Sequence, residues 1–203
     1  MENIFAEKDR FSLKRIVLVI LLLVALAPRA HACVGKMLTI GVLNFPKEQV
    51  LAEMLSAMIN ERTGTSVRVR SFASLQELYA AVKAEQVDIS IENTARALSA
   101  LNRPREADPI KALEVVKTVY EREKGLIWLK PFGFLNGGEE GPSFTAAILR
   151  TTIVDNFPAL PRVIGKLVAT INDEVYRRLI RSLEAGENPK KVARDFLVLK
   201  KLI

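Results

Sequence analysis

Histidine and cysteine are almost absent from this chain of 203 residues: it has one of each, and both lie among the first 33 residues. The remaining residues cannot supply a Ser-His-Asp or Cys-His catalytic group, nor a zinc site built of cysteine and histidine. A single cysteine also excludes an intramolecular disulfide, so packing must stabilise the fold. The sequence therefore predicts no catalytic residues, no metal site, no cofactor and no enzymatic activity.

The first 32 residues have the pattern of an export signal. A basic stretch ends at Arg15 and is followed by an apolar run of twelve residues, 16–27. As a helix this run would span about 18 Å, which is short of a bilayer core of about 30 Å. Ala30-His31-Ala32 supplies the small-x-small pattern of a signal peptidase site. We expect removal of residues 1–32; the alternative is a short membrane anchor that stays attached.

Cleavage near Ala32 would place the protein in the periplasm or another extracytoplasmic space, with Cys33 as its first residue. This leaves a lipid anchor on Cys33 open, although Ala30 stands where lipoprotein signals usually carry Leu. The mature domain, 33–203, would carry a net charge of +5, against +7 for the whole chain. Most of its basic residues alternate with acidic ones, as on solvated helix faces. The lysine pairs near the C-terminus lack the interleaved aromatics that stack on bases, so we expect no nucleic-acid partner.

From residue 37 onward the pattern alternates between strand and helix. Strands are predicted at 37–43, 67–69, 87–91, 126–129 and 145–152, and helices around 50–59, 74–82, 107–124, 160–170, 172–183 and 189–199. Ser74 is expected to cap its helix, and Gly64 and Gly125 to end theirs. This alternation predicts an α/β fold with a mostly parallel sheet flanked by helices and with further helices at the C-terminus. The glycine-rich stretch 131–142 is expected to be a flexible connection.

Several motifs resemble the substrate-binding proteins of glycine betaine and choline ABC importers. They are IGVLNFPKEQ at 40–49, VDI and ENTARAL within 87–98, GLIWLKPFGF at 125–134, and stretches at 157–160, 170–174 and 188–197, all in the family's order. The resemblance implies a periplasmic-binding-protein-like fold of type II. It also implies a small quaternary-ammonium-like solute as ligand and an ABC permease as partner.

The resemblance also implies that one lobe is missing. In the family, a second α/β lobe is inserted between two crossings of a hinge, and the ligand is held between the lobes. Here the stretch entering the hinge near Phe134 is followed within ten or so residues by the return strand at Thr145. The short loop 135–144 stands where the lobe is expected, so we expect a single lobe.

Five residues match the family's motifs, or stand at its ligand positions, at the carboxyl ends of two predicted strands. They are Asn44, Phe45, Glu92, Asn93 and Thr94. Three positions of the family's ligand site carry other residues here: Asn93 and Ser90 stand where the family has tyrosines of an aromatic box, and Leu43 stands where it has a lysine. Aromatic faces are what attract a cation that cannot donate hydrogen bonds, so the identity of the solute is left open.

Four of the five candidates also have a structural interpretation. Phe45 could be a staple on its own helix, Glu92 and Thr94 could cap a helix, and Asn93 could accommodate an unusual backbone angle. Tyr79 and Trp128 lie on apolar faces and are expected in the core.

Two functions are compatible with these residues. One is an extracytoplasmic solute-binding component of an importer. The other is an interaction or sensor module that reuses the lobe to bind a protein partner or to form a homo-oligomer, through a flat apolar face left by the missing lobe.

Overall fold

The computed structural model describes residues 37–135 and 143–203. The predicted export signal, its predicted cleavage site near Ala32 and Cys33 lie outside these residues. In the described ranges, no helix has both the length and the apolar character needed to cross a bilayer.

Six strands form one sheet. They are β1 (Leu38–Leu43), β2 (Val67–Phe72), β3 (Ile89–Asn93), β4 (Leu126–Trp128), β5 (Gly133–Leu135) and β6 (Ser143–Arg150). Their order is β2-β1-β3-β6-β4, and β5 also pairs with β6. β1 is parallel to β2 and β3, whereas β6 is antiparallel to β3, β4 and β5. The prediction of a mostly parallel sheet is confirmed, because every strand except β6 runs in one direction; the reversal of β6 was not predicted from the sequence.

Eight helices accompany the sheet in the described residues. They are α1 (Pro46–Thr63), α2 (Leu75–Lys83), α3 (Thr94–Ala100), α4 (Pro109–Lys124), α5 (Thr151–Asn156), α6 (Leu160–Val168), α7 (Asp173–Glu184) and α8 (Pro189–Leu199). The helix ends predicted at Ser74, Gly64 and Gly125 are confirmed. The hydroxyl of Ser74 accepts from the N–H of Glu77 at 3.2 Å, and Gly64 and Gly125 end α1 and α4 with φ of 68° and 61°.

Helices cover both faces of the sheet because side chains alternate along each strand. In β1, the fully buried Ile40 packs in one core cluster with residues of α1, α6, α7 and α8. Gly41 faces the other side, where a Cβ would come within 2.8 Å of both Leu78 and Val87. A larger residue there would push α2 off the sheet. A separate cluster on that second side joins α3 and α4 to β4 and β6.

The loop predicted at 135–144 is shorter than expected. Leu135 pairs with Ser143, and Gly133 pairs with Thr145, so both ends of the predicted loop belong to strands. Only residues 136–142 separate these strands, and they lie outside the described residues. The strand predicted at 145–152 is β6, which ends at Arg150 because Thr151 begins α5. The elements β5, α3 and α5 were not predicted from the sequence, and each of them is seven residues or shorter.

Candidate functional site

The five candidate residues lie at the carboxyl ends of β1 and β3. These strands are parallel neighbours, with Ile40 paired to Ile89. The chain leaves β1 through α1 to reach β2 on one side, whereas β3 lies on the other side. Ligands of open α/β sheets bind in the crevice outside such a point of reversal. The fold therefore brings the two halves of the candidate site to one edge, which we call the candidate edge.

At the end of β1, Asn44 and Phe45 are exposed. The side-chain oxygen of Asn44 accepts from Nε2 of Gln49 at 2.8 Å. Phe45 precedes α1, and its ring is 50% exposed. The Nζ of Lys47 lies 5.8 Å from the centre of this ring. A helix staple precedes the N-cap, whereas Phe45 is itself the N-cap of α1, so the interpretation of Phe45 as a staple is wrong.

At the end of β3, the three candidates are buried and used by the protein itself. Asn93 caps α3: its side-chain oxygen accepts from the N–H of Arg96 at 2.8 Å. Because Asn93 is the cap, the interpretations of Glu92 and Thr94 as caps are wrong. The interpretation of Asn93 as a residue with an unusual backbone angle is also wrong, since its φ of −118° is ordinary extended backbone. The hydroxyl of Thr94 accepts from the N–H of Phe144 at 3.1 Å and so joins α3 to β6.

A buried ion network fills the space between these strand ends. The guanidinium of Arg96 donates from Nη1 to Glu48 at 2.7 Å and from Nε to Glu92. Its Nη2 donates to the carbonyl of Ile91 in β3 at 3.3 Å. The second oxygen of Glu48 accepts from the N–H of Leu43, the last residue of β1, at 3.0 Å. The network therefore crosses from one strand end to the other.

Glu48 and Arg96 were not among the residues predicted for the site, although both carry a recognisable signal in the sequence. Glu48 is the third residue of α1, the position from which a glutamate side chain reaches back over a helix start. Arg96 follows Glu92 by four residues, the spacing of an ion pair along a helix. Arg96, Glu48 and Glu92 are only 8%, 2% and 1% exposed, so neither carboxylate is a solvated surface charge.

Two tyrosines complete the network from the side of α2 and α4. The hydroxyl of Tyr79 donates to Oε2 of Glu92, and the hydroxyl oxygens of Tyr79 and Tyr120 are 3.2 Å apart. Burial raises the pKa of Glu92, and the opposing effects of Arg96 and of the Tyr79 hydrogen bond do not cancel it. Burial, together with the charge of Glu92, raises the pKa of Tyr79 far above its ordinary range, so this phenol remains a donor at neutral pH.

Of the two aromatic residues expected in the core, Trp128 is confirmed there and Tyr79 is not. Trp128 is 4% exposed and packs edge-on against Tyr120, with the ring centres 5.6 Å apart. Tyr79 is half-buried instead, because it also lines a groove of about 580 Å³ between α2 and α4. None of the five candidate residues lines this groove.

The two strand ends therefore offer different chemistry. At the β3 end, the charged groups of Glu92 and Arg96 are buried and already paired within the protein. The β1 end supplies an amide and a single aromatic face to solvent. Such groups can contact a small solute, but one ring gives only a fraction of the attraction that several rings give a quaternary ammonium ion. The ammonium of Lys47 beside that ring would also repel a cation.

The same α/β architecture occurs in solved solute-binding proteins. The structure matches a glycine betaine/carnitine/choline ABC transporter protein with a TM-score of 0.72 at 14% identity, over 81% of this chain and 99% of that chain. It matches apo YehZ from Escherichia coli with a TM-score of 0.73 at 12% identity, over 83% of this chain and 100% of that chain. An ABC-transporter choline-binding protein in complex with choline matches with a TM-score of 0.55 at 9% identity, over 79% of this chain and 87% of that chain. At these identities the likeness defines the class of fold, a periplasmic-binding-protein-like α/β domain.

The sequence places the chain more narrowly. Residues 36–139 match the family described as the substrate-binding domain of ABC-type glycine betaine transport systems. This range is just over half of the chain and contains both strand ends of the candidate edge. The chain therefore belongs to this family of substrate-binding domains. No curated protein matches it significantly.

Proposed function

We propose that this protein is an extracytoplasmic solute-binding component of a betaine/choline-type ABC importer, reduced to one lobe. The observation that carries the proposal is the match of residues 36–139 to the substrate-binding domain of this family. The N-terminal pattern supports export with cleavage near Ala32, and an ABC permease would be the partner that receives the solute. The protein would act by binding alone, without catalysis.

The single lobe is inferred from strand pairing. β5 and β6 pair in antiparallel fashion, and the pair nearest to the connection between them is Leu135 with Ser143. The seven residues between these two positions are too few for a second α/β lobe. The matches to the solved structures cover 87% to 100% of those chains, so their length does not indicate a missing lobe. The inference of a single lobe therefore rests on the pairing of β5 with β6.

The binding site would be the open half of the candidate edge, around Asn44 and Phe45. Phe45 would contact the solute through its ring, and Asn44 would contact it through its amide. Glu92, Asn93 and Thr94 would support this edge from beneath, through the ion network and the cap of α3. A carboxylate-bearing zwitterion suits this edge better than a simple cation, because the ammonium of Lys47 beside the ring of Phe45 repels a net positive charge.

Thermal unfolding of the full chain tests this function. We expect a higher Tm with millimolar glycine betaine, carnitine or proline, each of which carries a carboxylate, than with choline, which does not. A solute at 100 times its Kd adds about 2.7 kcal/mol, which corresponds to roughly 5 to 10 °C for a chain of this size. Phe45→Ala should remove the shift, whereas Ile110→Ala, which truncates another exposed apolar residue, should keep it. The absence of a shift with all four solutes would contradict the proposal.

One observation favours the second candidate function, an interaction module. The crevice between β1 and β3 is filled by the protein's own ion network, and Phe45 is an exposed ring at the edge that a second lobe would otherwise face. In that case Phe45 would contact a protein, such as a second copy of the chain. Sedimentation of the wild type and Phe45→Glu would then show an oligomer in the wild type alone, while a monomer in both would exclude self-association through this edge.

A further inference from the structure

The groove between α2 and α4 has the size of a small-molecule site. α2 packs on β1, where Leu78 lies against Gly41, whereas α4 packs with β4 and β6. The hydroxyls of Tyr79 and Tyr120, 3.2 Å apart, link the two helices, and both residues line the groove. Its volume of about 580 Å³ lies within the range of about 300 to 1,000 Å³ that is typical of small-molecule sites.

One wall of the groove lies at the opposite end of the sheet from the candidate edge. This wall is formed by Leu126, the first residue of β4, and Arg150, the last residue of β6, which pair with each other. Since Ile89, the first residue of β3, pairs with Leu149, the wall is at the amino end of β3. The candidate edge is at the carboxyl end of the same strand, so a molecule in the groove would leave the candidate edge open.

The interior of the groove suits an apolar body. Its apolar side chains come from α2, α3 and β4, and they are Val82, Ala100 and Leu126. The hydroxyls among them are already engaged, since Tyr79 donates to Glu92 and Thr151 donates to the carbonyl of Gly125 at 2.9 Å. Burial raises the pKa of Tyr79 and of Tyr120, so both phenols stay neutral. A ring could therefore cover this surface without leaving a charge or a free donor beneath it.

Two lysines border the groove, one on each helix. Lys83 is the last residue of α2, and Lys124 is the last residue of α4. Within the described residues neither lysine forms an ion pair, and Lys124 lies 5.8 Å from the ring centre of Tyr120 instead. An acidic group in the groove would therefore meet an ammonium group from each helix.

The lining as a whole carries a small excess of positive charge. Its three cations are Lys83, Lys124 and Arg150, and its two carboxylates are Glu85 and Glu123. Arg150 is already paired with Glu85 at 2.9 Å and with Asp88 at 2.6 Å. Glu123 also borders a neighbouring depression that contains two arginines. The charges left for a ligand are therefore mainly those of the two lysines.

We propose that the groove between α2 and α4 is a second binding site, for a small molecule that combines an aromatic ring body with an acidic group. The ring body would lie against Tyr79, Val82 and Leu126, and the acidic group would lie between Lys83 and Lys124. This inference does not depend on the proposed solute-binding function, because none of the five candidate residues lines the groove.

Fluorescence titration of the full chain with anilinonaphthalene sulfonate tests the site. This probe combines aromatic rings with a sulfonate and becomes fluorescent when it leaves water. We expect one saturable site per chain, and several-fold weaker binding of phenylnaphthylamine, which has the same rings without the sulfonate. Equal binding of the two probes, or the absence of a saturable site, would overturn the proposal.

Two pairs of lysine replacements test how the acidic group is held. Lys83→Gln combined with Lys124→Gln should weaken binding of the sulfonate probe about tenfold, because both ammonium groups at the groove are lost. Lys111→Gln combined with Lys117→Gln, on α4 but outside the groove, is the matched control and should leave binding unchanged. All four lysines are exposed, so the fold should be retained. Equal effects of the two pairs would contradict the placement of the acidic group.

A blocking replacement tests where the probe binds. Ala100→Phe should fill the groove from the end of α3 and abolish saturable binding, whereas Ala185→Phe, at the exposed residue that follows α7, should not. Leu199→Ser removes the most exposed large hydrophobic residue of the described chain and should also leave binding intact. Thermal unfolding checks that Ala100→Phe is folded, and the lysine pairs decide if it is not. Retained binding in a folded Ala100→Phe variant, or its loss in Leu199→Ser, would overturn the proposal.

Discussion

The ends of β1 and β3 occupy neighbouring positions in the sheet, yet their polar residues serve opposite purposes. Asn44 and Phe45 face solvent, whereas Glu92, Asn93 and Thr94 are buried. The difference arises from the helix that each strand leads into. β1 leads into α1 through three exposed residues, 44–46, while the end of β3 is held by β6 through Thr94 and by α2 through the bond from Tyr79 to Glu92. A polar residue at a strand end is available to a ligand only where no neighbouring element uses it.

The largest effect is expected from removing the cation of the ion network. Arg96→Met would leave the buried carboxylates of Glu48 and Glu92 without their counter-charge, so the free energy of unfolding should fall by about 3 to 5 kcal/mol. Arg178→Met is the matched control, because Arg178 pairs with Glu174 in an exposed i,i+4 arrangement worth only about 0.5 kcal/mol. Urea denaturation of both variants measures the difference, and equal losses would mean that the network does not hold the strand ends together.

A smaller effect is expected from the cap of α3. Asn93→Ala removes a buried hydrogen-bond acceptor at the start of the helix and should cost about 2 kcal/mol. Asn188→Ala removes the corresponding cap of α8, which is exposed, and should cost about 1 kcal/mol. If Asn93→Ala proved the milder of the two in urea denaturation, the supporting role given to the β3 end would be wrong.

The pH dependence of stability should report the burial of Glu92. Its pKa is raised in the folded protein above the ordinary value of 4.5. At pH values between the ordinary pKa of the unfolded chain and the raised pKa of the folded protein, the folded state binds more protons than the unfolded state. The contribution of Glu92 to stability therefore decreases as the pH rises through this range. The free energy of unfolding of the wild type relative to Glu92→Gln should fall from acidic to neutral pH. A relative stability that rises with pH would instead indicate that the ion pair with Arg96 dominates.

The smallest effect on stability is expected at the β1 end. Phe45 is half exposed, so Phe45→Ala should change the free energy of unfolding by no more than about 0.5 kcal/mol. Ile110→Ala, at an even more exposed residue, should behave alike. A loss above about 2 kcal/mol for Phe45→Ala would show that the ring is structural and not held ready for a solute.

The sequence predicted those features of the fold that depend on local patterns. Ser74 and the two helix-ending glycines, Gly64 and Gly125, confirm this, because capping and left-handed turns need particular residue types. The reversed direction of β6 could not be predicted in this way, since it depends on pairing with β3, which is distant in sequence. β5 has only three residues, too few to show a strand pattern.

The site was harder to predict than the fold. Glu48 and Arg96 lie within the matched motifs but were not chosen as site residues, because neither motif shows that Glu48, 44 residues before Glu92, contacts the same Arg96. The motif also does not indicate which residues are exposed. Phe45 and Thr94 both match the family pattern, yet Phe45 is 50% exposed and Thr94 only 1%.

The contrast between the two strand ends can be tested most directly by monitoring backbone amide signals of the full, isotopically labelled chain during titration with glycine betaine. The proposed function predicts chemical-shift changes at Asn44 and Phe45 that saturate with solute, and much smaller changes at Glu92, Asn93 and Thr94. The largest changes at the β3 end, or none at either end, would contradict it.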